Sequence, residues 1–411
     1  MLNKIKEHKL LEIFATLAQI SSPSLREDKV IQWISDFCKE NGIIFQLDNY
    51  ENIHIKIDSN NIEKQPLLLS AHMDVVGDDS PVLLKAEDDF IKTDGSRTLG
   101  ADDKAGIACI LLLALELKQN TVNIPHGGLE IVLTRDEEHG MTGIKHVNYK
   151  KLKSKYALIL DADKLAQLEV SGASYINGRL KVTTPYGGHS GIDIHEEHRL
   201  NAAKLISELT ASIPQGVYYK DETGTITSIN LGTIIGGDIQ NVASKIVSEQ
   251  VKSNKYLDYF MDNAVTNIIN TEAQAAYSIR SASIAKTEEL KALLQEKINE
   301  FNKKYGNLAH AEMTFAEHLP PFEKSEDDSI EKIYKKACEK LGLEPHISSF
   351  HAGAETHIYA QNINAQSEKF LPVLLGVADI YNMHSPSEKV NYKTLLKGYE
   401  LVKQIFIEFN Q

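Results

Sequence analysis

The chain has 411 residues, 42% of them apolar and 25% charged, with a formal net charge of −13. That length exceeds one ordinary core and argues for two domains, while the acidic balance repels phosphate backbones and speaks against nucleic acid as a partner. The three cysteines (Cys38, Cys109 and Cys338) are scattered with no CxxC pair, which argues against a disulfide framework or a thiolate zinc site and fits reduced thiols in the cytoplasm.

Along the chain, Leu10, Leu11, Phe14 and Leu17 recur at helical spacing with Lys and Glu between them. They read as an amphipathic helix rather than a signal peptide. Ile53–Ile57 alternates as a strand does. The apolar run from Pro66 to Ser70 stops at Ala71-His72-Met73-Asp74. A helical stretch follows at Lys104–Lys118. Its apolar core, Ile107 to Leu115, is far below the ~20 residues of a membrane span and reads as a buried helix, so no membrane is expected. Leu129–Thr134 is a second apolar run and stops at Arg135-Asp136-Glu137-Glu138. A third, Ala157–Leu160, stops at Asp161-Ala162-Asp163.

The pattern changes near Tyr175. Gly178–Thr184 reads as a strand, 187–191 as a glycine-rich turn, Leu200–Ser212 as a helix and Ser228–Ile235 as a strand. Val247–Val251 and Ala275–Arg280 are further strand candidates, and Thr287–Tyr305 is a charged amphipathic helix. From about Ser325 the first character returns, with a helix at Ile330–Leu341, a strand at Pro372–Gly376 and a helix at Tyr392–Phe409. The expected fold class is α/β: a split catalytic domain (1–175 and 309–411) with a central mixed sheet flanked by helices. An α+β ferredoxin-like domain (176–308) is inserted in it.

Three times, an apolar strand ends in a cluster of His, Asp or Glu, which is where open α/β sheets bind ligands. His72 and Asp74, two apart in an extended segment, point the same way, so Asp74 is expected to hold the second ring nitrogen of a metal-ligating His72. Asp102 and Asp103 open the buried helix. One of them is explained by N-capping, and the other by a carboxylate that bridges two ions. Asp136-Glu137-Glu138 is costly at a buried strand end unless cations compensate. A metal assigns one Glu as ligand and its neighbour as base. Asp161 and His384, in Asn382-Met-His-Ser-Pro386, supply further donors. A donor set of oxygen and nitrogen without thiolate suits zinc, with cobalt or manganese also fitting.

These residues carry a resemblance. SAHMDVV (70–76), GADDKAG (100–106) and DEEHGMTG (136–143) look like peptidase T and its relatives. GGHSGIDIH (187–195), FHAGAE (350–355) and HSPSEKV (384–390) look more like the histidyl dipeptidases. The chain thus resembles the dinuclear zinc peptidase family that includes peptidase T, the aminoacyl-histidine dipeptidases and the bacterial folate-cleaving carboxypeptidase.

The resemblance implies two Zn2+ ions. His72, Asp102 and Asp161 would hold one, and Asp102, Glu138 and His384 the other. Glu137 would be the general base acting on a metal-bound water, and Asp74 the orienter of His72. The inserted segment would be a lid and dimerisation domain, making the protein a homodimer. On that domain His189 would steady the oxyanion, Arg280 would hold the substrate carboxylate and Asn241 would lie near the substrate. Two positions depart from the pattern: Asn241-Val-Ala-Ser stands where relatives often have Asn-x-Ile-Pro, and Asp163 where they often have glycine. Glu355 is a candidate for a substrate's free α-amino group. The expected activity is exopeptidase hydrolysis of di- or tripeptides. An amidohydrolase that deacylates N-acyl amino acids is the alternative, because it would use the same metal centre.

Overall fold

The apolar runs that end in acidic clusters form the middle of one sheet. In the computed structural model, which describes residues 7–222, 224–237, 246, 252 and 255–411, the chain divides into two compact units. The first comprises Met1–Gly172 and Phe322–Gln411, the second Ala173–Pro321.

The first unit is built on an eight-stranded mixed sheet. Its strands in chain order are β1 (Ile44–Leu47), β2 (Ile53–Ile57), β3 (Leu67–His72), β4 (Leu129–Thr134), β5 (Tyr156–Ala162), β6 (Gln167–Gly172), β7 (His346–Phe350) and β8 (Leu371–Gly376). Their order across the sheet is β1-β2-β4-β3-β5-β8-β6-β7. The run β4-β3-β5-β8 is parallel throughout, and β2 and β6 join it antiparallel. Both faces are covered. Leu67, Leu69, Ile131, Leu133, Leu158 and Leu160 face one apolar cluster, while Leu68, Val132, Ala157 and Ile159 face another with Tyr149, Tyr359 and Phe370. Burial on both faces explains why these strands read as continuous apolar runs rather than alternations.

Helices α1 (Lys9–Gln19), α2 (Asp28–Glu40), α3 (Ala101–Lys118), α4 (Ser329–Leu341) and α5 (Tyr392–Phe409) contribute to the larger cluster. α3 is buried almost all round, as its apolar sequence requires. Among the described residues no helix is long and apolar enough to cross a membrane. The chain runs from β3 through α3 to β4 on one side, and then to β5 on the other. The strand order therefore reverses at β3, and a crevice opens at the carboxyl ends of β4, β3 and β5.

The second unit is a five-stranded antiparallel sheet ordered Gly216–Lys220, Ile226–Gly236, Glu272–Ser281, Tyr175–Thr183, His310–Leu319. Helices Ala202–Ser212 and Ile284–Tyr305 bury Leu205, Ile206, Leu209, Leu290, Leu294 and Ile298 against Ile176, Leu180, Val182, Ala275 and Tyr277. Without the first strand this is the four-stranded, two-helix ferredoxin-like arrangement. The domain boundary at 308 is corrected to 321. His310–Leu319 pairs residue by residue with Tyr175–Thr183, and its alternating Ala311, Met313 and Phe315 carry that signal in the sequence. The strand expected at Val247–Val251 lies outside the described residues.

Candidate active site

The sheet brings together the strand-end residues of the first unit. His72 is the last residue of β3, Arg135 to Glu138 follow β4 directly, and Asp161 is the penultimate residue of β5. Asp102 enters from the start of α3. His384 sits on the connection between two short paired strands, Ile380–Tyr381 and Lys389–Asn391. Two of these positions have left-handed backbone on non-glycine residues, Asp136 with φ 56° and His384 with φ 60°. Such conformations persist only where the surroundings enforce them, and they cluster at functional sites.

Asp102 is the centre of the arrangement. Its Oδ1 lies 3.0 Å from His72 Nε2 and its Oδ2 lies 3.0 Å from His384 Nε2. His72 Nε2 is also 3.5 Å from Asp161 Oδ1, and His384 Nε2 is 3.0 Å from Glu138 Oε1. The donor atoms of His72, Asp102 and Asp161 lie within 4.8 Å of one another, and so do those of Asp102, Glu138 and His384. Two three-donor groups that share one carboxylate are what a pair of cations needs. Glu138 Oε1 is buried and receives no well-aligned hydrogen bond, which leaves a lone pair for such an ion. The residues therefore fit a dinuclear centre.

The electrostatics agree with the donor geometry. Without cations, burial and the charge of Asp102 push Asp161 up to about 8. Burial first, then the charges of Asp161, Glu355 and Glu138, pushes Glu137 well above the usual carboxylate range. Hydrogen bonds to Asp102 and Glu138 raise His384 to about 10. Cations would displace these protons. A stability test follows. Asp161 rises from 3.8 to about 8 on folding, so the folded ion-free protein holds extra protons between these values and loses stability as pH climbs through 8. Chelator-treated protein is expected to melt roughly 3 °C or more lower at pH 9 than at pH 6. Added zinc should remove most of that slope in scanning calorimetry. An ion-free protein with equal melting temperatures at both pH values would contradict the clustered carboxylates.

Comparison with known proteins gives the family. The profile of peptidase family M20/M25/M40 matches residues 68–408, most of the chain. The chain belongs to peptidase family M20/M25/M40. The uncharacterized protein YqjE of Bacillus subtilis is 23% identical over 412 residues, covering 98% of this chain and 99% of that one. Peptidase T of Fusobacterium nucleatum is 26% identical over 321 residues, covering 77% of this chain and 66% of that one. Among solved structures, aminopeptidase PepT from Bacillus cereus superposes with a TM-score of 0.81 at 23% identity, covering 99% of this chain and 100% of that one. This is the fold expected from the strand pattern, and the chain is a metallopeptidase by its family.

In this M20-family peptidase the turn after β4 is held by four consecutive main-chain amides. Arg135 N–H donates to Asn52 Oδ1 at 3.0 Å and Asp136 N–H to Glu27 Oε1 at 3.1 Å. Glu137 N–H donates to Asp74 Oδ1 at 2.9 Å and Glu138 N–H to Asp74 Oδ2 at 3.1 Å. The reading of Asp74 changes accordingly. His72 Nδ1 is 3.0 Å from the main-chain oxygen of Asp74 and 3.5 Å from its carboxylate. The carboxylate is engaged chiefly by the Glu137-Glu138 backbone and by Ser24 Oγ at 2.7 Å. Glu27 is fully buried and also pairs with Arg135. Sequence reading missed Glu27 and Asn52. Their only local signal is that each is a polar residue beside an apolar segment.

The remaining candidates differ in standing. His189 and Arg280 lie in the second unit. His189 is exposed, and its Nδ1 accepts from Gly191 N–H at 3.1 Å. Arg280 stacks 4.6 Å above the Tyr175 ring. Asn241 lies outside the described residues. Glu355 is 1% exposed, and burial raises its carboxyl to about 7 despite the nearby Thr134 and Ser70 hydroxyls. Neither of its oxygens receives a well-aligned hydrogen bond, and we keep Glu355 as the proposed partner of a substrate's α-amino group.

Proposed function

We propose that this peptidase is a two-zinc exopeptidase that hydrolyses di- or tripeptides with Glu137 as general base. The observation that carries the reading is Asp102, whose two oxygens face His72 and His384 in two separate donor groups. His72, Asp102 and Asp161 would hold one ion, and Asp102, Glu138 and His384 the other. Nitrogen and oxygen donors without thiolate favour zinc, with cobalt or manganese as substitutes. The bound ions would polarise the scissile carbonyl and bring water's pKa toward neutrality.

Glu137 stands next in sequence to a proposed ligand, with its backbone fixed by Asp74. Ionised beside the bound ions, it would take a proton from the attacking water and return it to the leaving amine. His189 as oxyanion partner and Arg280 as binder of the substrate's terminal carboxylate enter through the motif resemblance, as do the homodimer and the cytoplasmic setting. If Arg280 holds that carboxylate, Arg280→Ala should raise KM by roughly 10–100-fold, the worth of one charge-assisted hydrogen bond, with kcat little changed. An unchanged KM removes Arg280 from the site.

The deciding experiment is a peptide-library digest by the zinc-loaded protein, read by mass spectrometry, beside a panel of N-acetyl amino acids. Release of single residues from short peptides supports the exopeptidase. Turnover of the N-acyl compounds alone would replace it with the deacylase reading.

A further inference from the structure

Glu388 lies four residues beyond His384 and is 1% exposed. Its carboxylate accepts from the stretch that leads into Asp102. Oε2 takes the Thr98 hydroxyl and Gly100 N–H, the latter at 2.8 Å. Oε1 takes Ala101 N–H at 2.8 Å and Asp102 N–H at 3.4 Å. These amides lead into α3, whose backbone is non-helical at Asp102 and Asp103. The regular turns of α3 begin after Asp103, whose Oδ1 caps them by accepting Gly106 N–H at 3.1 Å, so Glu388 holds the stretch that precedes the helix. Gly100 is at φ 70°, and a Cβ there would come within 2.6 Å of Val75 Cγ1. That stretch is therefore held by a residue 286 to 290 positions away, on the loop that carries His384.

That connection has a geometric consequence. Asp102 Oδ2 and Glu138 Oε1 both face His384 Nε2. Besides its own 3.0 Å approach to Asp102, the His384 loop is tied to the backbone of this stretch through Glu388. Moving the carboxylate would move the whole Gly100–Asp102 backbone relative to His384.

We propose that Glu388 is a positioning residue that sets the separation of Asp102 and His384 for metal binding, a role that rests on the two-ion reading above. All four of its partners are donors. In Glu388→Gln the side-chain NH2 would face an N–H or O–H whichever way the amide is turned. Thr98→Val removes one donor and introduces no clash.

The test is calorimetric titration of ion-free wild type, Glu388→Gln and Thr98→Val with Zn2+, with stoichiometry checked by elemental analysis and folding by circular dichroism. Glu388→Gln is expected to fold and to bind one of the two ions at least ~10-fold more weakly, as loss of a partner behind a metal ligand does. Its kcat should recover at high zinc with the peptide KM unchanged. Thr98→Val should shift in the same direction by a smaller factor. A folded Glu388→Gln that binds both ions with wild-type affinity overturns the proposal, even if its melting temperature falls, because that is the behaviour of a structural tie alone. If Glu388→Gln does not fold, Thr98→Val decides: weaker zinc binding supports the role and wild-type affinity overturns it. A wild type that takes up no zinc removes the two-ion reading itself and this proposal with it.

Discussion

Glu137→Gln is expected to lower kcat by about 10³-fold or more, within the range of a positioned general base, while zinc content stays at the wild-type level. The substitution is nearly isosteric. It leaves the Glu137 N–H to Asp74 hydrogen bond in place, because that bond uses the backbone. It also leaves Glu138 and the other candidate ligands untouched. Stability of the ion-free protein should hold or rise, since burial and neighbouring negative charge disfavour an ionised Glu137 there. The measurement is kcat on a cleaved tripeptide, with elemental analysis and a melting curve on the same preparation. A variant within tenfold of wild type would dismiss Glu137 as the base. A variant that loses zinc would instead place Glu137 among the ligands.

The part of this site that the sequence reveals is the part built on strands buried on both faces. Leu67 to Ser70, Leu129 to Thr134 and Ala157 to Leu160 bury successive residues on opposite faces, and the one charged residue among them, Glu130, is satisfied by the Lys153 and Ser154 amides and the Ser154 hydroxyl. The abrupt change to His72, Asp136 and Asp161 is then visible without a structure. Sequence alone does not show which strands are neighbours. That β4, β3 and β5 lie side by side and parallel turns three separate clusters into one site.

The residues that hold the site's backbone were not legible for a related reason. Glu27 reaches Asp136 across 109 positions, and Asn52 reaches Arg135 across 83. Each looks locally like a loop residue. Asp74 was legible as a polar partner of His72 because the two are neighbours in sequence, but the dominant partners of its carboxylate, Glu137 and Glu138, are more than sixty positions away. Glu355 is enclosed beside Ser70 and Thr134, a placement that its motif alone does not show.

Asp102→Ala should be the most damaging single change, removing both ions and bringing activity to background, a loss of about 10⁴-fold or more. Asp102 is the one residue shared by the two donor groups. Without it His72 keeps only Asp161, and His384 keeps only Glu138. Two protein donors are fewer than the three that catalytic zinc sites ordinarily have. Loss of Glu138 alone would instead leave the His72, Asp102 and Asp161 group complete, so Glu138→Ala should retain one ion. The contrast between zero and one bound zinc, read by elemental analysis after dialysis at equal free zinc, separates a bridging carboxylate from an ordinary ligand. Asp102→Ala should also lower the pKa of His384, because the hydrogen bond to Asp102 is the first cause of its rise to about 10. In ion-free protein, proton NMR of the imidazole would read that shift directly. If Asp102→Ala holds two zinc ions, the bridging assignment is wrong, and the 3.0 Å approaches of both histidines to Asp102 are ordinary hydrogen bonds.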